Sequence, residues 1–175
     1  MKYFLMHRVL KNLFLILCCF IATSLFTFNA DADPYRQGNI RNRLSLGGSE
    51  AFDNDYFILG FGVGFFPVDY LELGLEGEYW LSATPYVAKI GFQTQYILPV
   101  NSSLKPYAGL FYRNTLVSGV KDMYSNGFRA GLYYNPGHDV ILGLGVVYEN
   151  YLTGDDSERD EYATTYPEFT VSATF

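Results

Sequence analysis

The chain has 175 residues with 12 Lys and Arg against 18 Asp and Glu, a formal net charge of −6, and no basic stripe, which argues against nucleic acid as a partner. Charged residues are 17% of it, against about 25% in ordinary soluble domains, while 16 Tyr and 15 Phe suit a chain with much lipid-facing surface. Its two cysteines, Cys18 and Cys19, fall in the first 32 residues, so the remainder can form neither disulfides nor a thiolate metal site.

Residues 1–32 carry the pattern of an export signal. Lys2, Arg8 and Lys11 precede an apolar run from Leu13 to Phe28, and Ala30-Asp31-Ala32 places small residues where a signal peptidase reads them. The run is roughly 16 residues, short of the ~20 that span hydrocarbon as a helix, so cleavage after Ala32 is expected rather than a retained anchor. Leu17 stands before Cys18 where lipoprotein processing needs a small residue, and both cysteines read as apolar filler. Losing three basic residues and one acidic residue takes the charge to −8. Residues 33–175 are then one domain.

Period-two alternation between turn signals predicts eight strands, near 39–50, 56–66, 70–82, 85–98, 105–117, 126–134, 139–152 and 163–175. The first sets Arg41 and Arg43 on one face. In the second, Gly60, Gly62 and Gly64 oppose Phe57, Leu59, Phe61, Val63 and Phe65, and Phe66 to Tyr70 reads as a tight turn. The third is the clearest: Leu71, Leu73, Leu75, Tyr79 and Leu81 lie opposite Glu72, Gly74, Glu76, Glu78 and Trp80. The fourth, fifth and sixth carry Lys89, Arg113 and Arg129, with turns at Pro99 to Leu104 and Asn135 to Asp139. In the seventh, Gly143 and Gly145 oppose Val140, Leu142, Leu144 and Val146, and Glu149 follows on the glycine-bearing face. The acidic stretch Thr153 to Tyr162 leads to the eighth, where Ala163, Thr165, Pro167, Phe169, Val171, Ala173 and Phe175 alternate with polar residues that include Glu168. Pro167 removes a ladder donor, so this strand is expected to bend or to start later.

An even number of alternating strands and no helix-length apolar run after residue 32 predict an all-β, eight-stranded antiparallel transmembrane β-barrel, since lipid cannot satisfy open backbone groups. The soluble competitor inverts the faces to line a ligand cavity, but the glycines place the large side chains away from a crowded interior. Three tight turns would then be periplasmic. The other connections, Phe52 to Asp55, Ser82 to Pro85, Leu116 to Ser125 and Thr153 to Tyr162, would face outward.

From Ala32 onward the chain resembles the small eight-stranded outer-membrane barrels of Gram-negative bacteria, the OmpA-type and OmpX-type proteins. The resemblance rests on pattern, length and the terminal Phe175. It implies residence in the cell outer membrane, contact with outer-membrane lipid and lipopolysaccharide, and handling by periplasmic chaperones and the barrel assembly machinery during export. It also implies that Phe169, Val171 and Phe175 form the C-terminal assembly signal.

The alternation aims Arg41, Arg43, Lys89, Arg113 and Arg129 into the lumen with Glu72, Glu76, Glu78, Glu149 and Glu168, five cations against five anions. Eight strands leave room only for side chains, and charges in so dry a space must pair. Antiparallel counting across the third hairpin sets Glu78 opposite Lys89; across the second it sets Gly60 opposite Glu76, and across the first Gly62 opposite Arg43. This network reads either as a plug of ion pairs or as a gated pore or proton path. Enzymes on barrels this small use, by resemblance, a histidine near the outer leaflet. Here the only histidine after residue 32 is His138, in an expected periplasmic turn, and no nucleophile–base pair or metal-ligand cluster appears. The acidic loop suits calcium or magnesium in ligand type but in no defined spacing, and reads as a solvated charge run. Tyr79, Tyr86, Tyr96, Tyr112 and Tyr148 point outward as interfacial girdles, with Trp80 inward. The expected protein is a monomer without catalysis, cofactor or metal, with a structural or surface role; a narrow channel and an adhesin are the alternatives.

Overall fold

The computed structural model describes residues 33–51, 54–100, 103–119, 122–135, 140–152 and 162–175. The export signal with Ala30 and Ala32, His138, and residues 153–161 of the acidic loop lie outside the described residues. Eight strands, β1 (Ile40–Ala51), β2 (Asn54–Val68), β3 (Leu71–Leu81), β4 (Val87–Ile97), β5 (Leu104–Val117), β6 (Met123–Tyr134), β7 (Val140–Leu152) and β8 (Tyr162–Thr174), follow in chain order. Each pairs antiparallel with the next, and β1 pairs with β8 to close a barrel. We call the end at which Ile40 and Phe175 pair the periplasmic end.

The pleat sorts the residues. In β7, Val140, Leu142, Leu144 and Val146 face outward and exposed, while Ile141, Gly143, Gly145, Val147 and Glu149 are buried. On β4 and β5, Phe92, Ile90 and Leu110 are 70%, 63% and 62% exposed. An apolar belt of that extent is untenable in water and suits hydrocarbon. Tyr86, Tyr112, Tyr124 and Tyr148 ring its outer side and Tyr96 and Tyr134 its periplasmic side. Two stacked pairs, Tyr112 with Tyr124 and Phe128 with Tyr148, have centroids 5.8 and 5.1 Å apart.

Three local features differ from the sequence expectation. β2 does not turn at Phe66 but runs on to Val68, absorbing Pro67 in a bulge between Phe65 and Val68, where a missing donor costs no ladder bond. The reversal is made by Asp69 and Tyr70, the latter with φ 65°. The chain reverses later than expected and the bulge takes back one residue of that shift, so Gly60 lies opposite Glu78, not Glu76, and Gly62 stands between Arg43 and Glu76. β6 begins at Met123, three residues before its expected start.

β8 neither starts late nor stops at its proline. Its ladder to β7 continues through Val146↔Pro167, whereas the ladder to β1 ends one residue earlier, at Gly47↔Glu168. A Cβ on Gly47 would lie 2.9 Å from the Pro167 carbonyl oxygen, so glycine is what lets the backbones approach there. Toward the outer end the two strands are tied by side chains, Ser49 Oγ lying 3.2 Å from Thr164 Oγ1.

Candidate functional site

All ten charged residues read as lumenal are buried. Three layers fill the lumen from end to end. At the outer end Tyr56, Ile58, Trp80, Val87, Phe111, Val117, Val147 and Tyr166 form one apolar cluster, and at the periplasmic end Tyr35, Phe66, Ile97, Tyr107, Tyr133 and Ile141 form another. The charges lie between.

Arg113 is the hub. Its Nε donates to Glu76 Oε1 at 2.6 Å, Nη2 pairs with Glu78 Oε1 at 2.7 Å, and Nη1 donates to Tyr166 Oη at 3.0 Å and lies 3.5 Å from Glu149 Oε2. Its guanidinium covers the Phe111 ring at 3.9 Å. Arg129 holds the other oxygen of Glu76 at 2.7 Å and reaches Glu168 at 3.4 Å. Nearer the periplasm Glu72 is shared by Arg41 and Arg43, and its carboxylate lies over Gly64, where any side chain would collide with it. Arg43 also donates to Gln93 Oε1 at 2.8 Å.

Glu78 and Lys89 are register partners, yet each forms its salt bridge elsewhere. Lys89 Nζ spans the lumen to Glu149 Oε2 at 2.6 Å and Tyr151 Oη at 2.7 Å, and lies 4.1 Å over the Trp80 ring. Glu149 also accepts from Ser125 at 2.6 Å. Side chains of this length reach past their cross-strand neighbour, so register alone does not choose partners. The same inward phase that picked out the charges also marks Gln93, Gln95, Ser125, Tyr133 and Tyr166, which complete the network and were not singled out.

The periplasmic mouth is closed by residues 33–39, which carry no periodic signal. Tyr35 is fully buried and stacks at 6.1 Å on Tyr70 and 6.4 Å on Tyr133. Tyr70 N–H donates to the Tyr35 carbonyl at 2.7 Å, Gln37 N–H to Asp69 Oδ1 at 2.7 Å, and Tyr70 Oη to Asp33 Oδ2 at 2.6 Å. That last bond, then burial and the Asp33 charge, push the Tyr70 phenol from 10.0 up to about 12. A raised phenol favours the neutral form when folded, so the stability this contact adds is full below pH 10.0 and lost as pH rises through about 12. Difference titration by tyrosinate absorbance of wild type against Tyr70→Phe is expected to show one phenol titrating near pH 12, and Asp33→Asn should bring it down.

Among the described residues no group of His, Cys, Asp and Glu is placed to hold a metal. Phe169 faces outward and is 41% exposed; Phe175 exchanges main-chain bonds of 2.9 and 3.0 Å with Ile40.

No family profile and no curated protein matches the sequence. Among solved structures, the N-terminal β-barrel domain of Pseudomonas aeruginosa OprF superposes with a TM-score of 0.60 at 14% identity, over 79% of this chain and 98% of that one. Neisserial surface protein A gives 0.59 at 14% identity, over 78% and 96%. The chain has the fold of these small eight-stranded outer-membrane barrels.

Proposed function

We propose that the protein is a non-catalytic outer-membrane β-barrel with a structural or surface role in the Gram-negative envelope. The observation that carries this reading is the lumen, occupied from one mouth to the other by an aromatic cluster, an ion-pair network and a second apolar cluster, with Arg41, Glu72, Arg113 and Glu149 wholly inaccessible. A wall apolar outside and a lumen packed with buried side chains suit a membrane plug rather than a conduit. In this reading the belt meets lipid, the outer girdle of tyrosines meets lipopolysaccharide, and the protein acts as a monomer. Purified protein in planar bilayers is expected to show no steady conductance while still migrating faster on gels before boiling than after. Sustained unitary currents from the folded species would replace the plug with a channel.

We also propose that residues 1–32 leave on export and that Phe169, Val171 and Phe175 are read by the assembly machinery, delivered by periplasmic chaperones. The intact mass of protein from outer membranes is expected to begin at Asp33; a mass that includes Met1 removes the signal.

A further inference from the structure

The hydrogen bonding of the periplasmic charge layer does not close within the protein. Arg41 and Arg43 share one carboxylate, Glu72, so this layer holds one positive charge in excess. The layer above it has Arg113, Arg129 and Lys89 against Glu76, Glu78, Glu149 and Glu168, one negative charge in excess. The lumen balances only as a whole.

Polar atoms without a hydrogen-bond partner occur in both layers, among them Arg113 Nη2 and Arg129 Nε above, and a cluster of donors lies on one wall of the periplasmic layer. Arg41 Nε and Nη1 and Arg43 Nε are buried without an acceptor, and so are the hydroxyls of Thr170, Ser172 and Thr174. These are neighbours in register, Arg41 lying across from Thr174, Arg43 from Ser172 and Ser45 from Thr170. All of these residues are inward-facing and more than nine-tenths buried. Directly opposed residues on paired strands have Cβ atoms about 4.5–5.5 Å apart. Arg41 lies 4.8 Å from the Tyr133 ring centroid and 5.5 Å from that of Phe66, and neither ring supplies an acceptor to its Nε or Nη1. Guanidinium nitrogens cannot accept, so the unpartnered Arg41 and Arg43 donors call for an acceptor, and the neighbouring hydroxyls can rotate to donate to the same group. With a net positive charge beside it in a dry lumen, an anion answers both the donors and the charge, whereas water answers only the donors.

We propose that Arg41, Arg43, Ser172 and Thr174 form a binding site for a small monovalent inorganic anion of chloride size, held between the ion-pair network and the aromatic cap. Tyr35, Phe66, Tyr133 and Ile141 form the aromatic and apolar cap on its periplasmic side.

The test uses the folded protein in detergent at fixed ionic strength, in sodium chloride or sodium gluconate, whose anion is too large to enter. Chloride is expected to raise the unfolding temperature along a saturating curve, and the chloride NMR line is expected to broaden on adding protein and to sharpen on thermal unfolding. In the Ser172→Ala, Thr174→Val double variant the half-saturating chloride concentration should rise by at least about a hundredfold, the loss expected for removing two hydrogen bonds to a charged ligand. Equal unfolding temperatures in the two salts with no broadening in wild type would show that the groups hold water only, and a chloride effect undiminished in the double variant would place the anion elsewhere. Either result overturns the proposal. If the double variant does not fold, the salt comparison and the NMR measurement on wild type decide it.

Discussion

Replacing Arg113 with Met is expected to be the most damaging single change in the lumen. Arg113 neutralises Glu76 and Glu78 directly and lies 3.5 Å from Glu149, and its side chain is wholly inaccessible. Methionine keeps much of the volume over Phe111 but leaves the buried Glu78 carboxylate without its salt-bridge partner. Removing one member of a buried pair typically costs about 3–5 kcal/mol, and here Glu78 loses its salt-bridge partner while Glu76 is left with Arg129 and Glu149 with Lys89, so a loss of that size is expected. Urea titration in detergent micelles, followed by the gel shift between folded and unfolded forms, measures it. Arg113→Lys should recover only part, because an ammonium cannot hold Glu76, Glu78 and Tyr166 at once in the fork geometry a guanidinium provides. An Arg113→Met protein as stable as wild type would mean that the lumen is hydrated well enough to screen its charges.

The second large effect separates contact from register. A double-mutant cycle of Lys89→Met with Glu149→Gln is expected to give a coupling of about 2–3 kcal/mol, the upper part of the range for residues in direct contact, because the two side chains meet at 2.6 Å with neither exposed. The same cycle with Glu78→Gln in place of Glu149→Gln should give under about 1 kcal/mol, although Glu78 sits directly across the ladder from Lys89. The reverse order would show that Lys89 turns to its neighbour in the membrane and that the network has a different wiring.

That contrast also marks how far the sequence could be read. Strand alternation told inside from outside at Glu72, Lys89 and Glu149 because a one-residue slip would put a charge into lipid. The ladder between β3 and β4 has no bulge, so counting across its hairpin set Glu78 opposite Lys89. Counting failed between β2 and β3, because the chain reverses at Asp69 and Tyr70, later than the Phe66 to Tyr70 pattern suggests, and the bulge beside Pro67 inserts one residue that no alternation reveals. Partner choice was illegible for a different reason: Lys89 and Arg113 are long enough to cross a narrow lumen, so it depends on three-dimensional packing. The cap at Asp33 to Asn39 has neither period, and Tyr35 gave no sign in the sequence that it closes the mouth.

The seam between β1 and β8 bears on how this barrel is made. Seven of the eight seams join strands adjacent in the chain and can form as hairpins on local contacts alone. The eighth brings together the two ends of the domain, so it alone carries the loop-closure entropy of nearly the whole chain, and topology of that kind slows folding. It is also the seam cut short at Gly47↔Glu168, with fewer bonds to offset that entropy. Closure is therefore the committing event of folding, and a chain that has made every hairpin still exposes two unpaired edges. On its own it would be open to pairing with a second chain, so whatever holds those edges apart until they meet each other governs the yield of finished barrels.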